Sequence, residues 1–509
     1  MAPRRSARPV SSPRLAKVSP RRTVRRGTSF HLAYLTPPAL VVLRAVLKAA
    51  DHDRPPVLVG GAVRDALGGA RGGARPIADL DVSVPSGALD LARRVADRLG
   101  GVFVPLDPER GAARVVMRGA WLDVTDWRAN SLEGDLAARD FTVNALAVPL
   151  GELLKTGHAP VLDPTRGLAD LRACRLRVHD ARVLADDPLR TLRGVRLEAA
   201  LGFRLTPSTV KAIRAASPAL ATVSGERVRD ELLAMLALPG TARALRRLDA
   251  FGLLSVIVPE IEPMRATTQP APHRFRVLEH SLRAVAGADL ILPSLRGLRP
   301  FGEELAAHMA EELGGDVRRG QILKLAALLH DVSKPETRRV VDGRVRFFEH
   351  DVIGAERARA VGARLKLPAR AIGVLERLVR HHLRPMHLAA AGRVTPRARY
   401  RFYRDLREDT RDLLLLVLVD AAAVRGDSPR SIWRRADLIR DLLRGWEEQP
   451  AGIGAPPLLR GTDVMERFGL SPGPAVGRLL ERAREAQALG LVTTRDEALA
   501  YLDSSPGDP

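Results

Sequence analysis

A single cysteine, Cys174, in 509 residues leaves no internal disulfide framework, and one lone thiol fits a reducing compartment. No run of about 18 apolar residues occurs, so a helical membrane span is excluded from the reading. Acid is short as well: against 81 Lys and Arg stand 59 Asp and Glu, a formal charge of +22. The apolar share, 46%, is that of an ordinary globular chain, and a cytoplasmic location is expected. The length allows about three or four domains.

The basic excess is overwhelmingly arginine, whose planar fork matches phosphate oxygens, so nucleic acid is the first partner to test. Part of it is local, because residues 1–50 carry eleven basic side chains and no acidic one. The opening MAPRRSARPVSSPRLAKVSPRRTVRRGTS is rich in Pro, Ser and Arg and lacks an apolar signal core. Residues 1–30 are read as a disordered basic arm that brushes an RNA backbone, with a transit peptide as the alternative on composition.

Short apolar strands then alternate with helices from residue 31 to about 165: PPVLVGG, ADLDVSV, GVFVPL, ARVVMRG and AWLDVTDWR, with helices over Leu40–Ala50 and Leu89–Leu99. Beyond them the pattern turns helical, with period-3.6 stretches over Leu189–Leu201, Val228–Leu238 and Thr241–Leu254. Pro263, Pro270 and Pro272 mark a boundary near 270, after which come a second helical block to about 430 and a helical tail over 431–509. No internal repeat is found.

In LVGGAVRDALGG an apolar strand end meets Gly60 and Gly61, then a helix start carrying Arg64. Glycines there let the backbone approach a ligand, and free N–H groups at the helix start suit an anion such as a triphosphate. An ordinary strand-to-helix turn is the plain alternative. Downstream, Asp79 and Asp81 stand two apart on a strand, so both carboxylates face one side of a sheet, where they can share two Mg²⁺ ions; Asp123 in WLDVTDW offers a third acid. An exposed edge strand would also carry such a pair. In ARDFTVNAL, Arg139 could pair with a phosphate or ribose, and Asp140 could cap the next helix. ADDPLRTLRGVRLEAALGF places Asp187, Arg190, Arg193 and Arg196 at three-residue spacing, one stripe of a helix. Arginines side by side repel unless an anion sits among them, and the adjoining apolar LEAALGF argues for a lined cleft.

GGAVRD, DLD, RDFTVNAL and DDPLRTLR in this order resemble the bacterial and eukaryotic class of tRNA nucleotidyltransferases, class II, which comprises the CCA-adding enzymes and their poly(A) polymerase relatives. The resemblance covers about residues 57–270. It implies an α+β protein in which a small mixed-sheet nucleotidyltransferase head (31–165) precedes an all-α neck and RNA-binding body (166–270). It further implies that Gly61 and Arg64 hold the triphosphate, that Asp79 and Asp81 bind Mg²⁺, and that Arg139 and Asp140 read the ribose. Asp187 and Arg190 would pair with the edge of the incoming base, supported by Arg193 and Arg196. RGLADL (Arg166–Leu171) looks like the flexible joint between head and neck, and SGERVRDEL (Ser224–Leu232) like a supporting helix. The chain departs from the family pattern at Ala138, where a second arginine is usual, at Asp186, where glutamate is, and in the longer, glycine-rich stretch Leu67–Ala78.

From His280 onward, histidines and acids recur: EHSL (His280), LLHDVSKPETR (His330, Asp331), FFEHD (His350), VRHHLRP (His381, His382) and LVDAAAVRGD (Asp420). Projecting from separate helices, they can gather around one or two divalent ions. One buried histidine is more often structural, but so many with an adjacent His-Asp pair are hard to explain as core filling. The set resembles the HD phosphohydrolase family over about 275–425, an all-α HD domain assigned to 271–430. His280, His330, Asp331 and Asp420 match its basic ligand set, while His350 with His381 or His382, of which His381 is taken, implies a two-metal form holding Mg²⁺ or a transition metal such as Ni, Mn or Co.

The reading is therefore an enzyme that adds all or part of the 3′-terminal CCA to tRNA from CTP and ATP, with a phosphohydrolase domain attached. A poly(A) polymerase is the runner-up; its bacterial forms generally lack a complete HD set. A nitrogen-regulatory uridylyltransferase fits RDFTVNAL and DDPLRTLR poorly. A non-catalytic RNA-binding protein with a relic head is opposed by the presence of both Asp79 and Asp81.

Overall fold

The computed structural model describes residues 28–68, 79–392, 394–426, 432–433, 436–448 and 455–504. Residues 1–27 of the expected arm, and most of the glycine-rich stretch after Leu67, lie outside these. The described residues form two compact units: one up to Val183 together with Leu201–Thr209, the other Leu184–Ala200 with the residues from Val210 onward.

In the first unit, β1 (Ser29–His31) pairs antiparallel with a later strand, and its Phe30 is fully buried. Removed from water, that aromatic side chain anchors the chain at residue 30, within the span expected as an arm. Next come β2 (Val57–Val59), β3 (Asp79–Val84), β4 (Val102–Asp107), β5 (Ala112–Met117), β6 (Ala120–Asp126), β7 (Ala147–Pro149) and β8 (His158–Pro160), the partner of β1. A six-stranded mixed sheet runs in the order β4-β5-β6-β3-β2-β7, with β3 and β6 parallel and the other pairs antiparallel. Alternation explains its faces: Leu80, Val82 and Val84 are buried on one side of β3, while Asp79 and Asp81 occupy the other. The helix Ala88–Leu99 covers the sheet with Leu91, Ala92, Val95 and Ala96, a stripe of helical period.

Arg166–Leu171 lies within this unit. Gly167–Arg172 is helical, Leu168 and Leu171 are buried, and a Cβ on Gly167 would sit 2.0 Å from the Thr142 carbonyl oxygen. Asp170 accepts hydrogen bonds from Thr142 Oγ1 at 2.7 Å and Arg177 Nε at 2.8 Å. A segment packed and bonded in this way is a fixed strut. Shortly after, β9 (Arg175–Leu176) and β10 (Arg204–Leu205) form a small parallel pair.

The second unit is helical apart from a hairpin of β11 (Arg338–Val341) and β12 (Arg344–Phe347). At its centre the helix Thr410–Arg425 is buried from Leu413 through Val419, apolar nearly all round, and Asp420 follows at the end of that run. The helices Val277–Ile291, Arg319–Leu329 and Ala369–His381 pack against it, and His350–Arg364 packs on Ala369–His381. The helical stretch expected over Thr241–Leu254 is two helices, Thr241–Ala250 and Leu253–Ile257, divided at Gly252 with φ of 77°. Within 455–504, Leu459, Val464, Val476, Ala483, Val492 and Leu502 pack into a small core of their own.

Candidate active site and metal cluster

In the head, the helix Gly60–Ala66 begins where β2 ends. Gly60 has φ of 75°, and a Cβ there would lie 2.6 Å from Asp81 Oδ2, so only glycine fits beside that carboxylate. The Gly61 N–H donates to Asp81. The turn therefore holds the β3 acid directly. Asp81 stands in register with Asp123 of the neighbouring parallel strand, and Asp79 with Trp121. Burial raises the Asp79 and Asp81 carboxyls above their ordinary values; Asp123 pushes both the same way, while Arg114 opposes it at Asp79 and Arg139 at Asp81.

The third acid is engaged elsewhere. Asp123 takes a two-pronged contact from Arg114 on β5, with Nε at 2.7 Å and Nη2 at 2.8 Å. Among the described residues, the head acids do not form a group with ligand atoms all within 4.8 Å of one another. The arginines are committed too. Arg64 is buried and bonds Asp65 at 2.7 and 2.9 Å and also Asn144 Oδ1. Arg139 pairs with Asp135 at 3.2 Å. Asp140 accepts from the Phe141 N–H at 2.7 Å and from Asn144 Nδ2 at 3.0 Å, bracing the turn Thr142–Asn144.

The arginine stripe belongs to the second unit. Its anion is a carboxylate of the protein: Arg193 Nε reaches Glu231 Oε1 at 3.0 Å and Arg196 Nε reaches Oε2 at 2.6 Å. Arg190 is buried, 3.9 Å from Asp187, whose nearer partner is Arg227 at 2.8 Å. Burial works against ionisation of Asp187, but Arg227, Arg190 and Arg193 outweigh it and hold its carboxyl below the usual range.

Also in the second unit, two groups of ligand-type atoms gather: His280, His330 and Asp420, and Asp331, His350 and His382. His280 Nε2 lies 2.8 Å from Asp420 Oδ1 and 3.3 Å from His330 Nε2. Asp331 joins the two groups, with Oδ2 3.3 Å from His330 Nε2 and Oδ1 3.5 Å from His350 and 3.7 Å from His382. The Nδ1 atoms of His330, His350 and His382 meet the carbonyls of Ala327, Phe347 and Val379 at 3.0, 2.9 and 2.7 Å. A carbonyl only accepts, so each Nδ1 carries a proton, and each Nε2 is the atom that turns a lone pair to the centre once the ring is neutral.

His382, not His381, completes the second group. The helix Ala369–His381 buries Ala371, Leu375 and Leu378, and one further step of that stripe reaches position 382. The neighbouring side chain, His381, is turned about 100° away. Burial, then Arg384, lowers the pKa of His381.

Asp331 Oδ1, His350 Nε2 and His382 Nε2 are buried without a hydrogen-bond partner. Each such orphan costs about 1–3 kcal/mol. Acceptors that converge in this way fit a divalent cation, which satisfies them together. Burial pulls the His330 pKa down, but Asp331 and Asp420 push it up to about 10; burial and the charge of His330 lower that of His382 to about 4. His273, unremarked in the sequence, lies with its ring 5.1 Å from that of His280 and its Nδ1 buried and unpartnered.

Three family models match the chain: the poly A polymerase head domain over residues 57–177, the probable RNA and SrmB-binding site of polymerase A over 202–265, and the HD domain over 302–424. An A-adding tRNA nucleotidyltransferase of Deinococcus radiodurans is 38% identical over 463 residues, covering 88% of this chain and 96% of that protein. The chain belongs to the tRNA nucleotidyltransferase family. A CC-adding tRNA nucleotidyltransferase of Thermus thermophilus is 36% identical over 87% of this chain and 92% of its own. The fold of the family extends to more distant members. A Thermotoga maritima CCA-adding enzyme solved with tRNA superposes with a TM-score of 0.55 at 20% identity, over 94% of this chain and 98% of its own. No helix among the described residues of this tRNA nucleotidyltransferase is long and apolar enough to cross a membrane.

Proposed function

We propose that the chain extends the 3′ end of tRNA with all or part of CCA, using CTP and ATP, and that its HD cluster is a metal-dependent phosphohydrolase. The observation that carries the first reading is the acid face of β3 and β6: Asp79 and Asp81 with raised pKa values, the second of them seated under a glycine turn whose Gly60 leaves no room for a side chain beside its carboxylate. Asp79 and Asp81 would hold Mg²⁺, with Asp123 in reserve behind Arg114. Bound Mg²⁺ supplies Lewis-acid stabilisation to an attacking 3′-hydroxyl and a departing pyrophosphate.

The protein's own groups do the rest. Gly60, Gly61 and Arg64 face the triphosphate, and Arg139 and Asp140 the ribose. Asp187 accepts from an exocyclic amine and Arg190 donates to the adjacent ring acceptor, a pattern that cytosine and adenine share and that uracil and guanine lack. Glu231 keeps Arg193 and Arg196 in place behind that pair. In the HD cluster, His280, His330, Asp331 and Asp420 would hold one ion and Asp331, His350 and His382 a second, either Mg²⁺ or Ni, Mn or Co. A cytoplasmic location accords with this role.

The two relatives named above differ, one A-adding and the other CC-adding. Incubating tRNA transcripts that end at the discriminator base, at C or at CC with each labelled nucleotide separately decides among full CCA, CC-only and A-only addition. Incorporation into none of the three ends the reading, and long A tails would mark a poly(A) polymerase.

A further inference from the structure

The hairpin of β11 and β12 is an unusual object in this molecule. Its ten residues, RRVVDGRVRF, carry Arg338, Arg339, Arg344 and Arg346 against one acid, and none of the four enters an ion pair among the described residues. Among the described residues Arg339 reaches only backbone carbonyls, at 3.0 and 3.4 Å. Elsewhere in this unit arginines find carboxylates, as Arg193, Arg319, Arg357 and Arg377 do.

The register sharpens the anomaly. Arg339 stands directly across from Arg346, and Val341 from Arg344, so three arginines share one face of a two-stranded ribbon. Like charges directly opposite one another destabilise a strand pair, and an isolated hairpin is already marginal. The other face, where Arg338 stands across from Phe347 and Val340 from Val345, leads into the metal cluster: the Phe347 ring lies 6.3 Å from that of His350, and Lys334 Nζ sits 5.5 Å over it. The hairpin thus spans the interval between two cluster residues, Asp331 and His350. At its end Phe348 is 55% exposed, an aromatic ring in water in a chain with only 4% aromatics. Val340 and Val341 are exposed as well, one on each face of the ribbon. Exposed apolar side chains set among unpaired cations mark an interaction surface.

We propose that this hairpin is a docking strip for single-stranded RNA, which it feeds by its 3′ end to the HD cluster. Repeating phosphates relieve the repulsion among Arg339, Arg344 and Arg346, and a base stacks on Phe348. The cluster then acts on a phosphate ester at the end of a strand, in preference to a free nucleotide. What happens to that ester rests on the phosphohydrolase reading above; the docking does not. For a 3′-phosphate, water forms the new P–O bond, the bond to the ribose oxygen breaks, and that oxygen takes a proton.

The test uses the full chain and three variants: Arg339→Ala/Arg344→Ala/Arg346→Ala, the corresponding triple Lys variant, and Phe348→Ala. A short RNA with a 3′-phosphate and 4-thiouridine near that end serves as both crosslinking probe and substrate, and p-nitrophenyl phosphate as the small ester, with Mg²⁺, Mn²⁺, Ni²⁺ and Co²⁺ in turn. Wild type crosslinks within residues 338–348. The triple Ala variant loses that crosslink and raises the KM for RNA about tenfold or more, with a salt slope shallower by about 2, since each single-strand phosphate contact contributes about 0.7. Phe348→Ala costs about fivefold. The triple Lys variant keeps most of the affinity, and all three hydrolyse p-nitrophenyl phosphate like wild type. Absence of a wild-type crosslink in the hairpin overturns the proposal, as does an unchanged crosslink and KM in the triple Ala variant. So does a hairpin whose loss abolishes binding to phosphatidylserine vesicles and leaves RNA binding intact. A wild type that crosslinks there and hydrolyses neither ester with any of the four metals supports the docking strip and removes the phosphohydrolase reading instead.

Discussion

In the head, three carboxylates share a sheet face with the guanidinium of Arg114; in the helical unit, the carboxylates of Asp331 and Asp420 share a buried pocket with four imidazoles. The two solve different problems. In the HD cluster each Nδ1–carbonyl bond fixes a tautomer in advance, so the ligand atoms already converge. The head acids stay apart, Asp79 exposed and Asp123 drawn off by Arg114. A preformed nest of nitrogen and oxygen suits an ion that resides in the protein, whereas a pair of carboxylates suits Mg²⁺ that arrives with a nucleotide's phosphates.

The largest effect expected from that contrast is at Asp81. Asp81→Ala removes the one acid that the glycine turn is built around, and nucleotide addition falls on the order of a thousandfold or more, while hydrolysis at the HD cluster and tRNA binding stay near wild type. Incorporation of labelled CTP and ATP, measured beside p-nitrophenyl phosphate turnover, checks it. Parallel loss of both activities would mean that the two sites are not separate.

Next is the HD cluster itself. Asp331→Ala deletes the side chain shared by both groups, and His382→Ala deletes one ligand of the second; resident metal and hydrolysis fall by about 10- to 100-fold or more in each. His381→Ala stays at the wild-type level. Metal content after dialysis, measured by mass spectrometry, separates the two histidines, and equal loss from both would undo the assignment of His382.

That pair shows how far the residues could be read in advance. The ligand types, the D-x-D pair and the glycine turn follow from local pattern, because alternation and helical period decide which side chains share a face. His382 was legible in principle: Ala371, Leu375 and Leu378 mark a buried stripe that arrives at 382. Glu231 was legible in the same way, an acid on a stripe with Val228, Leu232 and Met235. Arg114 was not. Its hold on Asp123 depends on β5 lying beside β6, and strand order is set by packing of the whole sheet rather than by any local signal. The unpaired arginines of β11 and β12 needed the register before their cost was visible.

A pH titration of the metal-free protein sharpens the comparison further. The folded His330 pKa is about 10 against an ordinary value of 6.5, so the stability that its imidazolium contributes is fully present below 6.5 and is lost as pH rises toward 10. Metal affinity moves the other way, because an ion must displace that proton and binds better as pH rises. Thermal melts of chelated and metal-loaded protein between pH 6 and pH 10 should therefore diverge; parallel curves would show that His330 is not protonated in the empty cluster. Asp81→Ala leaves this divergence unchanged.

The smallest expected effect is on nucleotide choice. Asp187 is held by Arg227 at 2.8 Å and faces Arg190 at 3.9 Å, while Glu231 satisfies Arg193 and Arg196. The shorter of these Asp187 contacts fixes the acid, and the longer one sets Arg190 next to it, so acid and guanidinium stand side by side to meet a base edge. A half-buried site of this kind rejects bases that leave its polar atoms unpaired, at about 1–3 kcal/mol for each lost pairing. Asp187→Ala should therefore raise misincorporation of UTP and GTP about tenfold relative to CTP and ATP, with a smaller change in the rate for the correct nucleotide. Arg190→Ala should weaken CTP and ATP use together. If the stripe only lines the path of the tRNA, both variants raise the KM for tRNA and leave the ratio among the four nucleotides as it was. Single-nucleotide incorporation with all four triphosphates distinguishes the two, and an unchanged ratio in Asp187→Ala would reduce this helix to a scaffold.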